Sequence, residues 1–257
     1  MKIYISVISH EHSELINKLE CLESLSENLH IVVKSNTPND NFIFENNENI
    51  KWLNHSYGFG FGANNNIVYQ YCIDELGMTD NDYFIVLNPD VVISDTIIES
   101  LVESMNRDQV PIATINLFKD YSKETYDYSI RRFPSLLQFV SSFLGMRNTS
   151  IIDKNVVKKP LKVDWAAGSF LAFRAGHYKM LGGFDEKYFM YCEDIDICYR
   201  SAKMNLLVTY YPQFEAIHLA RHANRKVFSK HFYWHVSSVL RFLMTKVGLT
   251  KPKSILD

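Results

Sequence analysis

The sequence predicts an α/β fold: a mostly parallel central sheet flanked by helices, with a helical appendage at the C-terminus. Two observations lead there. Ile3 to Ile8 and Tyr83 to Leu87 are β-rich, nearly continuous apolar runs, as expected of strands buried on both faces. Around them, apolar residues recur at helical spacing, so strand and helix alternate in the βαβ rhythm of right-handed crossovers. Such a sheet presents its ligand crevice at the C-terminal ends of its strands.

In chain order, the strand Ile3 to Ile8 leads to Ser13, suited to cap a helix with Ile16, Leu19, Leu22 and Leu25 on its apolar side. Ile31 to Val33 and Ile50 to Leu53 read as short strands. A helix is expected from about Asn64 to Leu76, stopped by Gly77. After the strand Tyr83 to Leu87, Ser94 opens a helix that turns Ile97, Ile98, Leu101, Val102 and Met105 inward. From Asn116 to Lys162 the chain reads as irregular. Val163 to Arg174 reads as a strand pair or a strand plus turn, and Gly182 to Asp185 as a turn. A helix from Glu193 to Lys203, a strand from Leu206 to Tyr210 and a helix from Ser229 to Val247 complete the reading. No repeat or clean linker divides the chain, so one domain over 1–222 and an appendage over 223–257 are expected.

With 257 residues, 47% of them hydrophobic and 22% charged, the chain can bury a large core as an ordinary globular protein. A formal charge of -2 gives no reason to expect a nucleic-acid partner. Its distribution is uneven. From Leu219 onward eight basic residues face one acid, Asp257, for a formal +7, while the preceding part carries −9. That asymmetry points to an anionic surface. Cys21, Cys72, Cys192 and Cys198 form no CxxC pair and no zinc-ligand spacing, which suits reduced thiols in a cytosolic protein. The N-terminal apolar run is too short for a signal peptide and no stretch approaches the ~20 apolar residues of a spanning helix. A protein not integral to a membrane is expected.

Three clusters carry chemistry. Asn88-Pro89-Asp90 directly follows a strand. It reads either as a turn or as a carboxylate at the ligand crevice, where oxygen ligands suit Mg²⁺ or Mn²⁺. Glu193-Asp194-Ile195-Asp196 places three acids at a helix start, where the dipole alone favours them. The same carboxylates, beside Tyr188 to Tyr191, could serve as a general base with raised proton affinity. Gly58 to Asn64 reads G-x-G-x-G before a helix, unlike the G-x-G-x-x-G of dinucleotide folds, and its glycines suit close backbone approach to a ligand.

Gly-Phe-Gly-x-Gly-x-Asn at 58–64, strand-Asn-Pro-Asp at 88–90, Trp165-x-x-Gly168, Gly-Gly-Phe-Asp-Glu at 182–186 and Tyr-x-Glu-Asp-x-Asp-x-Cys-x-Arg at 191–200 occur in this order. Together they resemble the family 2 inverting glycosyltransferases of GT-A (Rossmann-like) fold, most nearly the bacterial rhamnosyltransferases of O-antigen and cell-wall assembly. The resemblance covers about residues 3 to 222. Each motif is short, and five in order are specific.

The resemblance implies inverting transfer from a nucleotide-diphosphate sugar with Mg²⁺ or Mn²⁺. Asp90 would be a metal ligand, with Asn88 in the place of the family's other aspartate. His218 would be a second ligand, with His222 its rival. Asp194 matches the catalytic base and Glu193 its support. The nucleobase pocket is expected around Ser9, His10 and the Lys34-Ser35-Asn36 turn, where Ser35 replaces a common aspartate. Gly58, Gly62 and Asn64 are expected beside the donor, and Trp165, Gly168 and Tyr191 beside the acceptor. Arg131 and Arg132 read either as contacts to the donor phosphates or as a solvated pair. The donor implied is dTDP-L-rhamnose and the acceptor a lipid-linked saccharide, such as polyprenyl-diphosphate N-acetylglucosamine, at the inner face of the plasma membrane.

Two other functions fit parts of the pattern. A nucleotidyltransferase would carry a Gly-rich basic loop after the first strand, where this chain has Ser-His-Glu-His. A non-catalytic carbohydrate-binding homologue would need neither Asp90 nor Asp194. The C-terminal segment, with Phe228, Phe232, Trp234, Val236, Val239, Leu240, Leu243 and Val247 among basic residues, suits a lipid headgroup boundary or a helix packed on the domain. Leu136, Leu137, Phe139, Val140, Phe143 and Leu144 offer a second apolar contact.

Overall fold

Every residue from Ile3 to Ser9 is buried, because this strand runs through a sheet covered on both faces. Ile3, Ile5 and Val7 enter one apolar layer, and Tyr4 and Ile8 the other. The structure, a computed structural model, describes residues 1–19, 22, 29–42, 48–135, 138–139, 149–219 and 230–256. Its strands are β1 (Ile3–Ser9), β2 (Leu29–Ser35), β3 (Ile50–Leu53), β4 (Tyr83–Leu87), β5 (Val91–Val92), β6 (Ile112–Phe118), β7 (Ile130–Arg131), β8 (Leu161–Val163), β9 (Trp165–Ala166), β10 (Phe170–Arg174) and β11 (Val208–His218). Its described helices are α1 (Ser13–Leu19), α2 (Phe61–Asp74), α3 (Asp95–Arg107), α4 (Ala175–Met180), α5 (Glu193–Lys203) and α6 (Lys230–Lys246).

The main sheet runs β3-β2-β1-β4-β10-β6-β11-β5, with β8 pairing β11, and β7 and β9 form a separate ribbon. β1 is parallel to β2 and β4, as the βαβ rhythm implies. β10 is inserted antiparallel to both β4 and β6, so the sheet is mixed beyond β4. β6 was not legible as a strand. Its polar residues Thr114 and Asn116 sit among apolar ones, and Thr114 Oγ1 donates to the Phe170 carbonyl at 2.9 Å inside the sheet.

β11 continues eight residues past its expected end at Tyr210 through an irregularity between Tyr211 and Glu215. This extension decides the site, because it sets His218 opposite Val91 of β5. α6 is joined to the domain core: Val239 and Phe242 are buried in the same apolar cluster as Tyr210 and Ile195. Cys72, Cys192 and Cys198 are buried free thiols. The expected boundary at 222, His222, Cys21, Leu25, Leu136, Leu137, Val140, Phe143, Leu144 and Phe228 lie outside the described residues. Among the described residues, no helix is long and apolar enough to cross a membrane.

Candidate active site

Asp90 and His218 come together because β5 pairs with the end of β11. His218 Nε2 lies 3.3 Å from Asp90 Oδ1, and the Leu219 amide donates to the Asp90 carbonyl at 3.1 Å. On the other ring nitrogen, Nδ1 donates to Asp127 Oδ2 at 2.6 Å. All three side chains are half-buried. Burial opposes the charge of His218, but its bonds to Asp127 and Asp90 carry it up to about 9. Burial likewise works against Asp90, whose carboxyl is nonetheless held below its ordinary range by His218. Asp127 was missed because it belongs to no motif and is one of several acids in a stretch that reads as irregular.

This donor set fits a divalent cation. Asp90 supplies oxygen and His218 nitrogen, a mixture better suited to Mn²⁺ than to Mg²⁺. A bound cation would take the place of the Nε2 proton: with Asp127 holding the proton on Nδ1, the ring's ligating lone pair would lie on Nε2, toward Asp90. Among the described residues no three histidine, cysteine or acidic side chains are placed to hold a metal ion by themselves. Asp90 and His218 would therefore hold a cation in partnership with substrate phosphates, a common arrangement for such ions.

The acids Glu193 and Asp194 open α5 and line a cavity of about 280 Å³ with Arg131, Trp165, Tyr191 and His235. Asp194 Oδ2 accepts from the Gly168 amide at 3.1 Å, and Oδ1 from its neighbour Ile195 at 2.8 Å. Burial raises the Asp194 carboxyl, while those amides and Arg131 pull it back. Glu193 is pushed up to about 8 by burial and then by the charge of Asp194, and its Oε2 has no hydrogen-bond partner. The two environments differ in the sense needed for one carboxyl to keep a proton while the other stays ionised. Ser169, next to Gly168, accepts from the Asn88 amide at 3.0 Å. One peptide unit thus separates the turn that carries Asp90 from the support of Asp194.

Arg131 and Arg132 part company. Arg131 sits 5.5 Å above the Trp165 ring in the cavity, because β7 pairs Arg131 with Trp165 of β9. Arg132 is exposed, and its carbonyl accepts from Trp165 Nε1 at 2.9 Å.

At the far end of the crevice, β1 and β2 bring Ser9, His10 and Asn36 together, with the Asn36 amide donating to the Ser9 carbonyl at 2.8 Å. Ser9 is fully buried and its Oγ donates to Asp40 Oδ1 at 2.8 Å, while His10 is exposed. Asn36 and Asn64 both donate to the Phe59 carbonyl, at 2.9 and 3.1 Å, and so shape the glycine loop. Gly60 and Gly62 owe their identity to packing within the chain: a Cβ on Gly60 would lie 2.5 Å from the Phe189 carbonyl, and one on Gly62 2.7 Å from Phe184 Cβ. Gly58, at φ 80°, has open space beside it. The Gly-Gly-Phe-Asp turn is itself tied down, by Asn66 to both polar backbone atoms of Phe184 and by Arg200 to Gly183. Asp196 serves that bond network, pairing with Arg200 at 2.8 Å.

The chain matches the family model described as glycosyltransferase like family 2 over residues 56–237. It is 37% identical over 248 residues to the rhamnosyltransferase WbbL of Escherichia coli (strain K12), covering 95% of this chain and 93% of that one. It is 32% identical over 170 residues to an N-acetylglucosaminyl-diphospho-decaprenol L-rhamnosyltransferase of Mycobacterium tuberculosis, covering 63% of this chain and 55% of the relative. Its fold is similar to that of S. aureus TarS 1-349 in complex with UDP-GlcNAc, with TM-score 0.59 at 12% identity over 98% of this chain and 68% of that one. GalNAc-T7 with UDP, GalNAc and Mn²⁺ is similar at TM-score 0.54 and 14% identity, over 85% of this chain and 44% of that one. Conserved over most of its length with a rhamnosyltransferase and carrying a carboxylate-lined crevice on a GT-A sheet, the chain belongs to the family 2 glycosyltransferases.

Proposed function

We propose that this glycosyltransferase moves L-rhamnose from dTDP-L-rhamnose to a lipid-linked N-acetylglucosaminyl diphosphate, with inversion, in the synthesis of a bacterial surface polysaccharide. The observation that carries it is Asp194, lining a cavity walled by Trp165 and Tyr191 and held by the amide of Gly168, whose neighbour Ser169 accepts from Asn88 at the start of the Asp90 turn. The names of the E. coli and M. tuberculosis relatives support the sugar, and the second supports the acceptor. Asp194 takes the proton of the acceptor hydroxyl as that oxygen bonds to the anomeric carbon. The bond from that carbon to the diphosphate breaks on the opposite face, and the nucleoside diphosphate leaves with the electron pair. Asp90 and His218 would hold Mg²⁺ or Mn²⁺, which when bound supplies charge neutralisation for the leaving diphosphate.

The acceptor places the enzyme on the cytoplasmic membrane face. Supporting this, α6 is apolar on two sides: Val239 and Phe242 face the core, while Tyr233, Leu240 and Met244 are exposed, as are Lys230, Lys251 and Lys253 of the same C-terminal segment. A panel of nucleotide sugars, assayed with Mn²⁺ and a short-chain N-acetylglucosaminyl diphosphate, tests the reading. dTDP-L-rhamnose is expected to be consumed fastest, with a product of inverted anomeric configuration. Preferential use of another donor would overturn the rhamnose assignment.

A further inference from the structure

The C-terminal helix reaches into the site. The stretch leading to the acids, 189–192, is held by one face of α6 at successive residues. The Trp234 ring packs tilted against Phe189, centroids 4.5 Å apart, and Ser238 Oγ donates to the Met190 carbonyl at 2.9 Å. The Tyr191 hydroxyl meets His231 Nδ1 at 3.2 Å, and its ring lies 5.1 Å from that of His235. Tyr191 and Cys192 both adopt left-handed backbone, at φ 73° and 65°. Non-glycine residues keep that conformation only where their surroundings impose it, and such residues cluster at functional sites. The helix is therefore a wall of the cavity of Asp194, and His235 is the side chain it contributes to the lining.

That cavity carries both signs of charge. Glu193 and Asp194 are its acids, Trp165 and Tyr191 its aromatic walls, and Arg131 and His235 bring nitrogen donors. Aromatic walls suit the apolar face of a sugar ring. A guanidinium and an imidazole N–H in the same cavity suit a phosphate attached to that sugar. We propose that His235 and Arg131 form an anion subsite that binds the phosphate adjoining the acceptor sugar, so that α6 is part of acceptor recognition. This rests on the acceptor class proposed above. The shared chemistry, a phosphate ester, could also come from the donor. The acceptor is favoured because His235 stands on the helix whose outer face exposes Tyr233 and Leu240, where a lipid chain leaving the cavity would find apolar contact.

The test compares two soluble acceptors: N-acetylglucosaminyl diphosphate on a short alkyl chain, and the alkyl N-acetylglucosaminide without phosphate. The wild type is expected to prefer the first. His235→Ala should raise its KM by roughly tenfold or more, the effect of losing a hydrogen bond to a charged group. The KM for donor should stay within twofold, and the phosphate-free acceptor should be little affected. His235→Gln, which keeps an N–H donor and a similar volume, should recover part of the loss, and melting curves verify that both variants fold. A rise in donor KM alone would assign the subsite to the donor and overturn the proposal. An equal loss for both acceptors would reduce His235 to a support of the wall and also overturn it. A wild type that consumes dTDP-L-rhamnose with other acceptors but never with the diphosphate would remove the acceptor class, and this subsite with it.

Discussion

The backbone amide of Gly168 donates to Asp194 Oδ2 at 3.1 Å, joining the loop before β10 to the first turn of α5. A Cβ at Gly168 would stand 3.0 Å from the Phe61 ring and 3.8 Å from Asp194 Cβ, so a glycine lets the two segments meet this closely. The bond stabilises the ionised carboxylate of a side chain that lines the cavity.

Asp194→Asn should lower turnover by about 10²-fold or more, because an amide cannot take the acceptor's proton. Donor affinity should be largely retained, because the amide oxygen of Asn can still accept from Gly168 and the change leaves Asp90 and His218 in place. Steady-state kinetics decide this, and near-normal turnover removes Asp194 from the mechanism.

Asp90→Ala should abolish transfer and weaken binding of dTDP in the presence of Mn²⁺. Calorimetry of dTDP with and without Mn²⁺ is the measurement. Equal affinity in both conditions for the wild type means that Asn-Pro-Asp acts only as a turn.

Asp127→Asn should raise the Mn²⁺ concentration needed for half-maximal dTDP binding by roughly tenfold or more, since the imidazole loses the carboxylate that fixes its proton on Nδ1. His218→Ala should do the same or worse. An unchanged Mn²⁺ requirement in Asp127→Asn would show that the 2.6 Å contact is structural only.

Glu193→Gln should change stability with a definite pH sign. Burial, and then the charge of Asp194, push this carboxyl up from its ordinary value of 4.5 to about 8. Between these values the native state keeps a proton that the unfolded chain has released, so stability falls as pH rises through the window. The variant lacks this loss. Its Tm relative to wild type should rise by roughly 5 °C or more from pH 4.5 to pH 8. A pH-independent difference in melting would rule out the raised titration.

Leu240→Glu and Met244→Glu should weaken flotation with vesicles of phosphatidylglycerol and phosphatidylethanolamine, while leaving melting unchanged, because both side chains are exposed. Wild-type binding should weaken with salt, each basic residue near the surface contributing about 1 kcal/mol. Absence of flotation at low salt would leave α6 as a wall of the site alone.

The sequence by itself determined most of the local elements and the candidate residues of the chemistry. Apolar runs marked β1 and β4 because strands buried on both faces tolerate few polar residues. The acids at Glu193, Asp194 and Asp196 marked the start of α5, since the helix dipole and the chemistry both favour carboxylates there. Only the tertiary structure decided what meets what. Asp127 lies 91 residues from His218, and no local pattern records their contact. The reach of β11 to His218 depends on an irregularity that periodicity takes for an ending. Gly60 and Gly62 looked suited to a ligand, yet the chain itself approaches them, at Phe189 and Phe184. The largest gain concerns α6. Its amphipathic spacing was legible, but a helix with apolar residues on opposite sides has two candidate inner faces. Packing of Val239 and Phe242 into the core chose one, and so delivered His235 to the cavity and left Leu240 and Met244 outside.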